Sequence, residues 1–192
     1  MQTRLLLPTD RAAILRHYLA LSPADRRTRF FVGVSDAFIR DYCRRLSWVT
    51  ATVLGRHDGD RLLGVAELIR PPGDWSGPAE LAVSVAAMSR RQGVGTALVA
   101  KALAIARNHF IPSVTMLCLP ENAAMRRLAA RFKADLSFQG GEVVGRIVSP
   151  WPNLASLVDE AAAEGQTFLQ AAFDVALPRP QPRSESQAGL VR

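Results

Sequence analysis

The residues best suited to chemistry lie between positions 80 and 97. They read Glu80-Leu-Ala-Val-Ser-Val85, then Ala-Ala-Met-Ser, then Arg90-Arg91-Gln92-Gly93-Val94-Gly95-Thr96-Ala97. The pattern predicts a strand, a short loop with two glycines, and a helix. A junction of this kind is an anion site. Amides at a helix start lack intrahelical partners, and the helix dipole is positive there. Glycine lets the backbone approach a phosphate with no Cβ in the way. Two well-known phosphate loops do not fit. A P-loop needs Gly-Lys-Ser/Thr after a longer spacing, and the chain has none. A dinucleotide fingerprint needs a small residue three after the second glycine, where this chain has Leu98, and its first strand lies far upstream.

The elements that must position this junction follow from periodicity and punctuation. Residues 3–7 read as a short strand, and Thr9 or Asp10 would cap the helix after it. Ser22-Pro23-Ala24-Asp25 opens a second helix, with serine as cap and proline at the first helical position. Ser35-Asp36 opens a third, with Phe38, Ile39, Tyr42, Cys43 and Leu46 on one face. Strands are expected over 49–54 and 62–69, joined by a turn at Asp58-Gly59, and over 80–86. The long helix is expected over 93–107 and a buried strand over 113–119. A helix over 123–132 and a hairpin around Gly140-Gly141, with strands at 136–138 and 143–148, complete the pattern. Trp75 lies in the Pro/Gly-rich loop before Glu80. We expect one domain over 1–149 and a helical extension over 150–177. The extension's apolar face would pack on the domain or across a homodimer. Residues 178–192 have no apolar pattern and read as a disordered tail.

Composition narrows the function classes. The chain has 192 residues, of which 48% are hydrophobic, enough for a substantial core. No apolar run is long enough to span a bilayer and the start does not read as a secretory signal, so a soluble, cytoplasmic protein is expected. Cys43 and Cys118 form no Cys-x-x-Cys pair, and His17, His57 and His109 have no ligand spacing, so no metal site is expected. The net charge of +7 comes mostly from scattered arginine, without an aromatic-interleaved basic patch or a nucleic-acid motif. It suits a solvated surface or a polyphosphorylated ligand.

Arg90-x-x-Gly93-x-Gly95 resembles motif A of the GNAT N-acetyltransferase superfamily, Arg/Gln-x-x-Gly-x-Gly/Ala. Residues 79–85 resemble that fold's fourth strand. Residues 118–128, with Asn122 and an apolar Met125 three positions on, resemble its fifth strand and following helix. Arg29-Phe30-Phe31, within 21–31, is similar to the GNAT domain of bacterial protein-lysine acetyltransferases. The likeness spans roughly residues 3–148. It implies an α/β GNAT fold: a mixed, mostly antiparallel bent sheet, its fourth and fifth strands parallel, with helices on both faces.

The resemblance also implies roles. Acetyl-CoA would be the co-substrate. Main-chain groups of Val83, Ser84 and Val85 would pair with its pantetheine arm in the gap between the two strands. Arg90, with the amides of Arg91, Gln92, Gly93, Val94, Gly95 and Thr96, would hold the pyrophosphate, and Asn122 would sit beside the thiol end. Glu80 would be the general base that takes the proton of an attacking amine. The tyrosine that many family members place after the fifth strand to protonate the thiolate is missing, since the chain's tyrosines are Tyr18 and Tyr42. Cys118 and Ser84 are weaker candidates for that acid than for plain burial. The helix after the fifth strand lacks the family's usual Gly-Phe ending and has Phe132-Lys133-Ala134. The expected function is acetyl transfer from acetyl-CoA to a small amine or a protein lysine. The alternative is an acyl-CoA-binding sensor without catalysis.

Overall fold

The computed structural model describes residues 1–73 and 77–148, with three isolated positions at 158, 162 and 165. The expected extension and tail, and Trp75, otherwise lie outside the described residues. The chain runs β1 (Gln2–Leu5), α1 (Arg11–Leu19), α2 (Pro23–Phe30), α3 (Asp36–Arg45), β2 (Ala51–Asp58), β3 (Arg61–Ile69) and β4 (Ala79–Val85). It continues through α4 (Val94–Asn108), β5 (Ser113–Cys118), α5 (Ala123–Arg131), β6 (Asp135–Gln139) and β7 (Glu142–Val148). The strands form one seven-stranded sheet in the order β1-β2-β3-β4-β5-β7-β6. All neighbours pair antiparallel except β4 and β5, which are parallel.

Two apolar clusters cover the sheet on opposite faces. One gathers Leu81 and Val83 of β4, Leu98, Val99 and Ala102 of α4, and Val114, Met116 and Ile147 of β5 and β7. The other joins Ile14 and Tyr18 of α1, Ile39 and Cys43 of α3, and Ala51, Val53 and Val65 of the sheet. Strand alternation separates them, because successive side chains point to opposite faces. Gly64 allows α4 to seat closely on β3: a Cβ there would meet Ser84 O at 2.9 Å and Val94 Cγ1 at 3.0 Å.

Local chemistry sets most boundaries. Ser22 Oγ accepts from the Asp25 amide at 3.2 Å, and Ser35 Oγ from the Phe38 amide at 3.2 Å, so both serine caps form as expected. Asp10 stands at the N-cap position of α1, but its side chain makes no cap bond to that helix. Its carboxylate turns back to accept from the Leu7 amide at 2.8 Å and from Arg4, and residues 8–10 form a 3-10 turn. The strand expected from residue 49 begins at Ala51, because the Thr50 amide donates to Ser47 Oγ at 3.3 Å and holds a turn. Lys133 follows α5 in the left-handed conformation, φ 58°, where glycine is usual. The main chain accepts that strain while the Lys133 amide donates to Ala130 O at 2.9 Å.

Candidate active site

β4 and β5 pair at only two registers, Ala79 with Val114 and Glu80 with Thr115. Beyond them the strands part. Leu81 to Val85 keep β3 on one side but have no strand partner on the other among the described residues. β5 stays paired with β7 along its length. The result is a fork whose apex is at Glu80 and whose inner edge carries Val83, Ser84 and Val85. An unpaired strand edge inside a sheet presents a row of N–H and C=O groups to whatever fills the gap.

The open end of this fork meets the start of α4. Gly93 caps that helix with φ 77°, and Arg91 before it has φ 60°. The first four amides of the helix have no partners within it. Gly93 is exposed and Gly95 half-buried. A Cβ on Gly95 would meet Leu128 of α5 at 3.3 Å and Val85 at 3.7 Å, so glycine allows α4 to close against the far wall of the fork. Arg90, Arg91, Gln92 and Gly93 are exposed, Thr96 is half-buried, and the Val94 side chain is buried beneath the loop. Gln92 donates to Met88 O at 3.0 Å. Arg90 is ion-paired to Asp25 of α2 at 2.5 Å. On the other bank of the fork Arg27 lies 3.6 Å from Glu121, so α2 is fastened to both sides.

Asn122 follows β5 and caps α5, its Oδ1 accepting from the Met125 amide at 3.1 Å. The carbonyl half of this side chain is therefore engaged, and the amide half carries its remaining donors. Cys118 is buried, and burial pushes its thiol pKa up, so it stays protonated.

Glu80 is exposed at the fork's apex and shares a face with Ala82 and Ser84, opposite Leu81 and Val83 as alternation requires. That face is the one covered by α1 and α3. Ser84 Oγ lies 2.8 Å from Nε2 of His17, which α1 supplies. Burial first, then the nearby Arg29, lowers the pKa of His17 to about 4, so its ring is neutral near pH 7.

Next to Glu80 lies a cluster that the sequence reading missed. Glu67 of β3 is fully buried. The hydroxyls of Tyr18 and Tyr42 donate to its two oxygens, and Arg29 ion-pairs with it at 3.1 Å. Burial raises the pKa of both tyrosine hydroxyls, and the Glu67 charge raises them further. Burial works to lower that of Arg29, but Tyr18, Glu67 and Tyr42 outweigh it and hold the guanidinium firmly charged. The Arg29 guanidinium also sits over the rings of Phe30, at 4.9 Å, and Tyr18, at 5.5 Å. The two early tyrosines are thus committed to Glu67. One signal was available: Glu67 is the single acid inside the run Leu62 to Ile69, and an acid in a buried strand must find partners. Its partners at 18, 29 and 42 share no period with it.

A pocket of about 280 Å³ opens beside this cluster, between Phe38, Tyr42 and Leu46 of the α3 region and Ala51, Glu67 and Ile69 of the sheet. Ile69 is the β3 residue directly opposite Glu80. Among the described residues no group of three or more His, Cys, Asp or Glu could hold a metal ion, and no helix is long and apolar enough to cross a membrane.

A sheet forked at one parallel pair, with a glycine-led helix start at the mouth of the fork, defines the acyl-CoA N-acyltransferase class of folds. The chain belongs to the acetyltransferase (GNAT) domain family, whose sequence profile matches residues 7–134. Among solved structures it is similar to the GNAT domain of PAT from S. lividans, with 21% identity over 76% of this chain and 89% of that one, at a TM-score of 0.67. It is also similar to ribosomal-protein-alanine N-acetyltransferase from Brucella melitensis, at 18% identity, 77% and 99% coverage and TM-score 0.60. A third is the paia N-acetyltransferase of Thermoplasma acidophilum in complex with coenzyme A, at 14%, 77% and 99%, and 0.57. No curated protein matches the chain.

Proposed function

We propose that this chain transfers an acetyl group from acetyl-CoA to a primary amine by direct attack, with Glu80 as general base. The observation that carries this reading is the position of Glu80 at the last β4–β5 rung, where a thioester arm lying in the fork would end. The fork fits such an arm. Among the described residues its β4 edge has no strand partner along Val83 to Val85, and its mouth offers the amides from Arg91 to Thr96 with Arg90 beside them. Asn122 would meet the arm with its free amide donors. Glu80 takes a proton from the ammonium or attacking amine, directly or through one water. The amine nitrogen bonds to the acetyl carbon, the C–S bond breaks, and the thiolate leaves with the electron pair. A thiolate is stable enough to depart without a protein acid. That suits a site whose two tyrosines both serve Glu67. The acceptor is a small amine or a protein lysine. Two free, buried thiols suit a reducing, cytoplasmic setting.

The test is thiol release from acetyl-CoA with a panel of amines. Glu80→Gln is expected to lower kcat/KM about 100-fold. Equal rates at every pH would remove Glu80 from the mechanism. CoA binding without turnover on any amine would instead favour a non-catalytic acyl-CoA sensor.

A further inference from the structure

We propose that the pocket beside Glu80 receives the apolar body of the acceptor, and that the acceptor class is a small arylalkyl monoamine rather than a polyamine. The inference rests on the reading of Glu80 as base and on three independent features of the pocket. The first is position. Ile69 lines the pocket and stands opposite Glu80 across one strand spacing, on the same face. Opposed residues in an antiparallel pair are about 4.5–5.5 Å apart at Cα, so an amine at Glu80 has the pocket's Ile69 wall within reach of its substituent.

The second feature is shape and surface. The pocket holds about 280 Å³. An apolar cavity of roughly 150 Å³ already accommodates benzene, so a ring on a two-carbon tether fits. Phe38 stands at the pocket with 44% of its surface exposed, an unusual state for a phenylalanine. It stacks on Tyr42 at 6.4 Å and meets Phe30 edge-on at 5.7 Å, which leaves an aromatic wall with a free face. A ligand ring completes such a wall by offset or edge contact.

The third feature is charge. A polyamine site needs uncompensated carboxylates. The carboxylate at this pocket, Glu67, is already matched by Arg29 and two tyrosine hydroxyls. At the rim, Arg45 is paired with Asp41. Among the described residues, no other carboxylate lines the pocket to neutralise a second ammonium, and burying one unpaired is costly.

The experiment uses the full chain with acetyl-CoA and three acceptors: 2-phenylethylamine, butylamine and spermidine. The expected kcat/KM for 2-phenylethylamine exceeds that for butylamine at least tenfold, with spermidine lowest. Ser47→Trp, which fills the pocket from an exposed lining position, should pull the aryl-to-alkyl ratio below threefold. Glu80→Gln should lower all three rates and leave the ratio standing. A ratio near one in the unsubstituted protein, or a preference for spermidine, overturns the pocket assignment while leaving Glu80 untouched. A persistent ratio with undiminished Glu80→Gln rates does the reverse. If no amine turns over, saturation transfer from the CoA-loaded protein to the 2-phenylethylamine ring provides the readout. Transfer that Ser47→Trp abolishes supports the pocket, and no transfer overturns it.

Discussion

The two sides of this site are built from different materials. The fork side is made of main chain: an unpaired strand edge, the first amides of α4, and glycines that keep the approach open. The side under α1 to α3 is made of side chains, with Tyr18, Arg29, Tyr42 and Glu67 drawn together from four elements. A main-chain site tolerates sequence change wherever the backbone path survives. A buried ionic cluster does not, because removing one member leaves another charge without a partner.

Substitutions can break this contrast in order of expected size. Glu67→Ala should cost about 3–5 kcal/mol of unfolding free energy, since it strands the buried Arg29. The double change Glu67→Leu with Arg29→Leu should recover much of that loss in the same denaturant titration. Failure to recover would mean that the cluster's packing, and not its charge balance, holds the helices. His17 comes next. It would bind a proton near pH 6.5 when unfolded and near pH 4 when folded. The unfolded chain therefore binds more protons between those values, and stability falls as the pH drops through that window. The 2.5-unit window, at about 1.4 kcal/mol per unit, gives a loss of about 3 kcal/mol. Melts of wild type and His17→Gln across pH 4–7 should differ in slope, and parallel slopes would show a native ring that already carries charge.

On the fork side, Gly93→Ala forces a side chain into φ 77° at a cost of about 1–2 kcal/mol. It should weaken CoA binding about tenfold by calorimetry. Unchanged affinity would detach the start of α4 from the cofactor. Asn122→Ala removes the α5 cap for about 1 kcal/mol. If Asn122 only caps, thermal stability moves and CoA affinity does not. A loss of affinity as well would add the thiol-end contact.

The same contrast explains what could be read from the chain before its structure. Ser22, Ser35 and the Asp58-Gly59 turn announce themselves because a cap or a turn is settled within four residues. The Arg90-x-x-Gly93-x-Gly95 loop is legible for the same reason, and so is the order of strands around it. Asp10 holds the N-cap position read for it, but its carboxylate bonds Arg4 and the Leu7 amide rather than α1, a choice that depends on where β1 lies. Glu67 stayed hidden because its partners are brought close only by the folded sheet. The pairing of His17 with Ser84 spans 67 positions and has no local signature.

The fork divides the sheet into two blocks, β1–β4 and β5–β7, joined by two rungs of hydrogen bonds. What unites them is side-chain packing, chiefly Leu98, Val99 and Ala102 of α4, set in one cluster with Leu81 and Val83 on one block and Val114 and Met116 on the other. The helix whose leading amides line the mouth of the fork is thus also the bolt between the halves. Trimming its buried stripe would slacken the joint and shift the fork's mouth together, so the geometry of the opening and mechanical cohesion are inherited as a single trait.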